Sequence, residues 1–194
     1  MKTSINGINL IKSFEGCKLA AYRDAVGVLT IGYGHTTGVK DGEKITQAKA
    51  DELLSIDLAR FENRVNYWGD KKYFFNQNEF DALVSFAFNC GSGNLDRLLK
   101  NGRNSRGKIA DDLLLYIHAG GKVLNGLVKR RKKERELFLT PVITENVSRE
   151  TKSNEEIARE VISGKWGNGD ERKQKLREAG YNPSVIQRIV NKMI

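Results

Sequence analysis

Two carboxylates near the start of the chain have the residue types and spacing that acid–base chemistry requires. Glu15 follows a helical pattern, and the negative end of a helix dipole raises the pKa of a carboxyl that has no cation beside it. Asp24 lies in a turn, where backbone N–H groups and water keep a carboxylate ionised. One protonated and one ionised carboxyl can together cleave a glycosidic bond. A solvated helix end and a turn residue would also fit these positions.

A capped helix and a β-hairpin must position these carboxylates. Ser4 can cap the helix, because isoleucines recur at helical spacing directly after it. Residues 18–24 and 28–34 are rich in β-branched and aromatic residues, and they predict two short strands. Glu15 would then follow the end of the helix, and Asp24 would open the turn of the hairpin.

The chain between the hairpin and Pro141 is predicted to be helical. Capping residues and apolar periodicity indicate five helices. The first is capped by Thr46, and the second starts at Asn76 or Asn78. The third runs from Asn94 to Lys100, the fourth from Ser105 to the Gly120-Gly121 pair, and the fifth from about Leu127 to Leu139. The predicted fold class is therefore α+β and mostly α, a helical lobe with a small N-terminal β-hairpin region.

The last quarter of the chain reads as a separate module. Residues 141–153 are polar and lack an apolar period, so they are predicted to link a domain of residues 1–140 to a second of residues 154–194. The second domain is expected to be a three-helix bundle, with helices capped by Asn154, led by Asp170 and closed by Gly180, and started by Asn182-Pro183.

The formal charge of +9 favours a polyanionic partner. Residues 1–143 contain 23 Lys and Arg against 16 Asp and Glu, which gives +7, and the remainder contains 10 against 8, which gives +2. The basic excess, with a local peak at residues 129–133, therefore belongs to the larger domain. An anionic cell wall would fit this charge, whereas nucleic acid is not expected, because no groove-reading motif accompanies it.

Composition also excludes several classes of protein. No apolar run approaches the roughly 18 residues that span a bilayer, so stable membrane insertion is not expected. The first 16 residues lack a signal peptide's apolar core, so we expect accumulation in the cytoplasm until another agent releases the protein. Two cysteines and two histidines lack zinc-ligand spacing, so no metal or cofactor is predicted. Cys17 and Cys90 are expected to be buried and reduced, with a disulfide between them as the alternative.

Four blocks of sequence, in order along the chain, carry a specific pattern. They are Glu15-Gly with Tyr22-x-Asp24 and LTIGYGHT at 29–36, then FNCGSGN at 88–94, HAGGK at 118–122, and GLVKRR at 126–131 with Glu134 and Leu137. This pattern resembles the phage-type lysozymes, glycoside hydrolase family 24, over about residues 1–140. The resemblance implies hydrolysis of the β-1,4 bond between N-acetylmuramic acid and N-acetylglucosamine in peptidoglycan.

The resemblance also implies the roles of individual residues. Glu15 would be the general acid, Asp24 would position water or stabilise positive charge, and Thr30 would hold the attacking water. Such an arrangement inverts the anomeric centre, with carboxyl groups roughly 6.5–9.5 Å apart. The expected substrate-binding residues are Gly34, Thr36, Phe88 and Arg130. Arg130 is also expected to pair with Glu15, with Arg131 as second choice, and His35 is expected to be structural.

The tail carries a second specific pattern. Residues 155–162, GKWGNG at 164–169, Arg172, Leu176 and AGY at 179–181 resemble the Cpl-seven type of cell-wall-binding repeat. The resemblance implies binding of peptidoglycan, with Trp166, Asn168, Arg172 and Tyr181 as the expected contacts. A tryptophan between glycines can offer a flat face to a sugar ring, although it could equally anchor the bundle core. A single repeat binds weakly unless the chain self-associates.

Two other functions remain open at this level. A lytic transglycosylase would use the sugar's own hydroxyl in place of water, although the presence of both Asp24 and Thr30 argues against it. The alternative that is not an enzyme is a catalytically silent cell-wall-binding protein. The sequence therefore predicts a phage endolysin that binds peptidoglycan glycan strands.

Overall fold

The computed structural model describes residues 1–142 and 152–194, which belong to two compact units divided after Val142. The first unit contains α1 (Ile5–Phe14), β1 (Lys18–Arg23), β2 (Leu29–Gly32), α2 (Gln47–Trp68), α3 (Gln77–Cys90), α4 (Ser92–Leu98), α5 (Arg106–Leu113), β3 (His118–Ala119), β4 (Lys122–Val123) and α6 (Asn125–Leu139). The second contains α7 (Asn154–Ile162), α8 (Gly169–Glu178) and α9 (Pro183–Met193). Residues 143–151 of the predicted linker lie outside the described residues. The predicted class, α+β and mostly α, is confirmed.

Helix α3 forms the centre of the first unit. It packs against α1, α2, α4 and α6, and every residue from 79 to 87 is buried. Asn76 caps it through a reciprocal capping box with Glu79, as the start of the apolar pattern predicted. Because α3 contacts both α1 and α6, it sets the distance between the helix that ends at Glu15 and the helix that carries Arg130.

Helix α1 is anchored to α3 at its N-terminal end. The Ser4 hydroxyl accepts a hydrogen bond from the Gly7 N–H, and the Ser4 backbone N–H donates to Asp81 Oδ1 at 3.0 Å. The Ser4 hydroxyl also donates to the other oxygen of Asp81. Gly7 lies directly against the Asp81 side chain, where a Cβ atom would be only 2.7 Å from Asp81 Cγ. This close approach fixes the axis of α1, and hence the position of its far end.

The β1–β2 hairpin follows α1 and is antiparallel, as predicted. Tyr22 pairs with Thr30 and Arg23 with Leu29, so Asp24 is the first residue of the turn. Residues 43–45 run beside β1, where the Ala21 N–H donates to the Glu43 carbonyl. This extra contact supports the strand that leads into Asp24.

The structure corrects two helix boundaries in the first unit. Helix α4 begins at Ser92 and not at Asn94, because Gly91, at φ +84°, ends α3 and turns directly into α4. The Asn94 side chain instead donates to the Cys90 carbonyl at 2.8 Å. Helix α5 ends at Leu113 and does not reach the glycine pair.

The glycine pair forms the turn of a second hairpin that the sequence analysis missed. Gly120 and Gly121 have φ values of +56° and +75°, and they join β3 to β4. Positive φ at both central residues is the geometry that suits a two-residue hairpin turn. The hairpin places the start of α6 after β4.

The second unit is a three-helix bundle, as predicted, with Asn182 capping α9 and Pro183 in its first turn. Its core consists of Ile157, Ala158, Val161, Leu176, Ile186 and Val190. Two starts differ from expectation. Ser153, not Asn154, caps α7 through a capping box with Glu156, and α8 starts at Gly169, so Asp170 lies within its first turn.

We expect Gly7→Ala to lower the free energy of unfolding of the first unit by about 1–3 kcal/mol, since the new methyl group overlaps Asp81. Gly107→Ala is the matched control in α5, where an added Cβ meets no atom within 4 Å. It should leave stability unchanged or raise it by up to about 1 kcal/mol. Urea denaturation of both variants measures the difference, and equal effects would contradict the proposed close approach.

Candidate active site

Glu15 lies where α1 ends, and its side chain is held by a buried cation. Its backbone N–H still donates to the Ile11 carbonyl, but its φ and ψ of −97° and 133° leave the helix. Arg130 Nη1 donates to Glu15 Oε1 at 2.5 Å. The Arg130 side chain is only 4% exposed, whereas that of Glu15 is 26% exposed. The contact predicted between these residues is therefore present, with the carboxyl on the solvent side.

Arg130 lies beneath Glu15 and has other partners on its inner side. Its Nε donates to Glu134 Oε1 at 3.1 Å, and its Nη2 donates to the Ser85 carbonyl at 3.2 Å. The guanidinium also lies 5.5 Å from the centroid of the Phe14 ring. Because Arg130 is buried, any influence it has on a bound sugar passes through Glu15 and not through direct contact.

A second arginine completes this buried cluster. The side chains of Arg131 and Glu134 are both 0% exposed, and Arg131 Nε lies 2.8 Å from Glu134 Oε2. Arg131 Nη2 also donates to Glu134 Oε1 and to Asn89 Oδ1, both at 3.0 Å. Its Nη1 donates to the Cys90 sulfur at 2.7 Å. Arg131 thus binds Glu134 and α3, whereas Arg130 binds both of these and also Glu15.

Glu134 is the most deeply buried acid of the cluster. Burial raises the pKa of its carboxyl, and the charges of Arg131 and Arg130 and the Ser85 hydroxyl at 2.7 Å act in the opposite direction. The carboxyl of Glu134 contacts both guanidinium groups. A buried arginine is tolerated where such partners take up its donors.

Asp24 is held by the backbone of its own turn. Its Oδ1 accepts hydrogen bonds from the N–H groups of Val26 at 3.0 Å and Val28 at 2.8 Å. Gly27, at φ +84°, closes the turn by donating its N–H to the Asp24 carbonyl. Oδ2 receives no hydrogen bond from the described residues, so one oxygen is fixed and the other can meet water or a sugar.

Thr30 lies on β2, directly across from Tyr22. It is 3% exposed, and its hydroxyl donates to the Val28 carbonyl at 3.0 Å. That carbonyl also accepts the Asp24 N–H, so Thr30 and Asp24 share one turn.

The residues that follow β2 form the wall beside this turn. His35 is buried, with Nδ1 2.9 Å from Asp57 Oδ2 and Nε2 2.9 Å from the Thr37 carbonyl, which agrees with the structural role expected for it. Gly34, at φ +98°, and Thr36 are exposed. Their exposure leaves backbone and a hydroxyl accessible to a ligand.

Phe88 differs from Gly34 and Thr36, because it is half-buried. Its ring meets that of Phe61 edge-to-face, with centroids 5.6 Å apart, and packs against the main core. Phe88 therefore packs against the core, and the part of its ring that remains exposed could contact a ligand.

Trp166 in the second unit is also half-buried. Its Nε1 donates to Glu160 Oε2 at 3.1 Å, and its ring lies edge-to-face on Tyr181, with centroids 6.1 Å apart. Both rings pack against the bundle core, and the Tyr181 hydroxyl donates to the Lys152 carbonyl. The indole thus supports the bundle core, and part of it remains accessible.

The polar residues predicted beside Trp166 have different environments. Arg172 Nη2 donates to Gln187 Oε1 at 2.9 Å, which ties α8 to α9. Asn168 is exposed and precedes α8, and its side chain caps no N–H group. Glu160 joins the Trp166 ring to Lys152, whose hydrogen bond is the main cause that lowers the pKa of this carboxyl. Of this set, Asn168 has the greatest freedom to meet a ligand.

Comparison with known families identifies both units. Residues 12–134 match the phage lysozyme family, which is more than half of the chain. The chain belongs to the phage lysozyme family. Residues 155–194 match the CW_7 repeat, so the second unit of this phage lysozyme family member has a family assignment of its own.

Named relatives agree with this assignment. The endolysin of Bacillus phage B103 is 47% identical over 78% of this chain and 59% of its own length, and that of Salmonella phage P22 is 37% identical over 72% and 99%. The muramidase domain of SpmX from Asticaccaulis excentricus superposes with a TM-score of 0.64 at 38% identity, over 72% of this chain and 99% of that one. The chain spans about three fifths of the length of the Bacillus and Lactococcus phage endolysins that it matches.

The residues that support Glu15 and Arg130 from beneath were not predicted from the sequence. Glu134 follows Arg130 by four residues and Arg131 by three, a spacing that brings helical side chains together, but spacing alone gives no sign of burial. Ser85 gave no signal, because a serine within an apolar helix reads as solvent-facing. These two residues connect α6 to α3.

A second network was also missed, one turn before Glu15. Lys12 pairs with Asp51 at 2.8 Å, and Gln47 donates to both Asp51 and the Tyr33 hydroxyl at 2.9 Å. The hydrogen bond to Asp51 is the main cause that raises the pKa of Lys12. Lys12 is thereby held toward α2.

Other chemistry predicted from the sequence can now be compared with the described residues. Within residues 1–142 and 152–194, no group of three His, Cys, Asp or Glu side chains could hold a metal ion. No helix in these same ranges is long and apolar enough to cross a bilayer. Cys17 and Cys90 are free thiols, as predicted, but half-buried and not fully buried.

Proposed function

We propose that the chain is a phage endolysin that hydrolyses the β-1,4 bond between N-acetylmuramic acid and N-acetylglucosamine in peptidoglycan. Membership of the phage lysozyme family supports this reaction class. The observation that carries the proposal is the Glu15–Arg130 contact, which holds a partly exposed carboxyl at the end of α1. Asp24, fixed on the hairpin that follows, provides the second carboxyl.

In the proposed mechanism each carboxyl has one task. Glu15 donates its proton to the glycosidic oxygen of the leaving sugar, and Arg130 then stabilises the carboxylate that remains. Asp24 faces the positive charge that develops at the anomeric carbon, through the oxygen that its own turn leaves unbonded. Thr30 holds a water molecule on the opposite face of the sugar ring, so hydrolysis inverts the anomeric centre and first releases the α-anomer.

The binding subsites proposed around this centre lie on the exposed segment after β2. Gly34 and Thr36 would contact the glycan through backbone and hydroxyl groups, and the exposed edge of Phe88 would contact a sugar face. Arg130 contributes indirectly, by orienting Glu15.

The CW_7 unit is proposed to bind peptidoglycan through Trp166, Asn168, Arg172 and Tyr181. The accessible part of the indole and the neighbouring exposed amide of Asn168 would meet a sugar. A single small site binds weakly, so self-association of the chain would strengthen attachment to a polymeric wall by raising the effective concentration.

The basic charge and the timing of action fit this proposal. The excess of cations in residues 1–143 favours approach to anionic wall polymers. We propose that the protein remains in the host cytoplasm until a separate agent admits it to the wall at the time of lysis.

Glu15→Gln is expected to lower the rate of peptidoglycan cleavage at least a hundredfold, because the amide cannot donate the proton. The matched control is Glu52→Gln, which changes an exposed acid of α2 that pairs with Lys49 and should leave the rate within about twofold. Mass spectrometry of the products should show reducing N-acetylmuramic acid ends, and proton NMR should show the α-anomer first.

Three outcomes would contradict this prediction. A Glu15→Gln variant as active as the wild type would show that Glu15 is not the general acid. Products with anhydro-muramic ends would indicate a transglycosylase. A wild type that binds walls without cleaving them would indicate a silent binding protein.

Trp166→Leu, made in the Glu15→Gln background, is expected to reduce retention on purified cell walls roughly two- to tenfold. Leucine keeps an apolar group against the bundle core but removes the flat aromatic face, and ring contacts are worth about 0.5–1.5 kcal/mol in aromatic pairs. Ile162→Ala, an exposed apolar change in the same unit, is the control and should retain binding. Unchanged retention of the Trp166 variant, with an unchanged unfolding transition, would exclude Trp166 as a ligand contact.

A further inference from the structure

Arg130 is shared between two acids that have very different access to solvent. Its Nη1 donates to Glu15, which is 26% exposed, and its Nε donates to Glu134, which is 0% exposed. One guanidinium donates to both carboxyl groups. The strength of its attraction for Glu15 therefore depends on how strongly it also binds Glu134.

We infer that Glu134 is a positioning residue for the reaction, which binds Arg130 from the inner side and limits how strongly that arginine holds the Glu15 carboxylate. The inference rests on the proposed function, because it concerns the residue proposed as the general acid. Glu134 cannot touch a substrate, since its carboxyl is enclosed by Ser85, Arg130 and Arg131. Any effect on the reaction must therefore pass through Arg130.

The hydrogen bonds of Arg130 also fix the orientation of its guanidinium. Glu134 Oε1 accepts from Arg130 Nε, and the Ser85 carbonyl accepts from Nη2, so the remaining nitrogen, Nη1, is directed to Glu15. Arg131 in turn holds Glu134, through Nε at 2.8 Å and Nη2 at 3.0 Å. The outward donor of Arg130 is thus set by partners on α3 and α6.

Charged and titratable groups also lie on the other elements near Glu15. On α1, Lys12 is paired with Asp51 of α2 and not with Glu15. The hairpin contributes Asp24, which is bound to its own turn. Helix α3 contributes the Cys90 thiol, whose pKa is raised mainly by burial. Helix α6 contributes Arg130, Arg131 and Glu134, which contact one another and Glu15.

The sign of the effect follows from Coulomb attraction. Removal of the negative charge at Glu134 leaves Glu15 as the one carboxyl partner of Arg130 among residues 1–142 and 152–194, and it also leaves the cluster with more positive charge. Both changes favour the ionised form of Glu15 and reduce the fraction that can donate a proton at alkaline pH. The alkaline limb of the activity profile should therefore move to lower pH.

The test is the pH profile of kcat/KM for Glu134→Gln, measured on soluble glycan strands at constant ionic strength. Glutamine keeps the shape and one acceptor but loses the charge. We expect the alkaline limb to move down by about 0.5–1 pH unit, so that activity above the limb falls roughly three- to tenfold while activity on the acid side changes less than about twofold. Glu136→Gln is the matched control, because this exposed acid on the same helix pairs with Lys133 and does not contact Arg130.

A second variant keeps the test decisive if Glu134→Gln does not fold. Arg131→Gln combined with Glu134→Gln removes one buried charge of each sign and should move the limb in the same direction. An unmoved limb, a uniform loss of activity at every pH, or a limb at higher pH in a folded variant would overturn the inference. Failure of the wild type to cleave glycan strands would instead refute the proposed function, so the two failures are distinguishable.

Discussion

The ion pair between Arg130 and Glu15 is the interaction on which the rest of the site depends. A charged guanidinium is tolerated in the interior only where carboxylates and carbonyls take up its donors, and here Glu134, Ser85 and Glu15 do so. Burial gives the arginine a fixed direction, and Glu15 keeps access to solvent. A long flexible cation on the surface could hold the carboxyl, but it could not hold it in one place.

Helix α3 connects this ion pair to the fold. Near its start, Asp81 binds Ser4 and packs against Gly7, which fixes the N-terminal end of α1. One turn later, Ser85 binds Glu134 and Arg130 of α6. The acid at the end of α1 and the arginine on α6 are thus positioned by neighbouring residues of one central helix. The β1–β2 hairpin continues directly from α1, so the position of α1 also influences where Asp24 and Thr30 lie.

Local chemistry explains what the sequence could and could not predict. Caps such as Ser4 and Asn76 act within one turn of the chain, and the first hairpin has enough β-branched residues to stand out, so these elements were predicted correctly. The second hairpin was missed because its strands have two residues each, too few to show a period. The burial of Glu134 depends on contacts between residues about 45 to 50 positions apart, such as Ser85 with Glu134, which no local pattern reveals.

A double-mutant cycle between Glu15 and Arg130 tests the central interaction most directly. The free energy of unfolding of the lysozyme unit would be measured for Glu15→Gln, Arg130→Gln and the double variant in urea at neutral pH. A partly buried, hydrogen-bonded ion pair predicts a coupling energy of about 1–2 kcal/mol between the two sites. Effects that add to within about 0.3 kcal/mol would show that Arg130 does not hold Glu15 in solution, and would contradict the account.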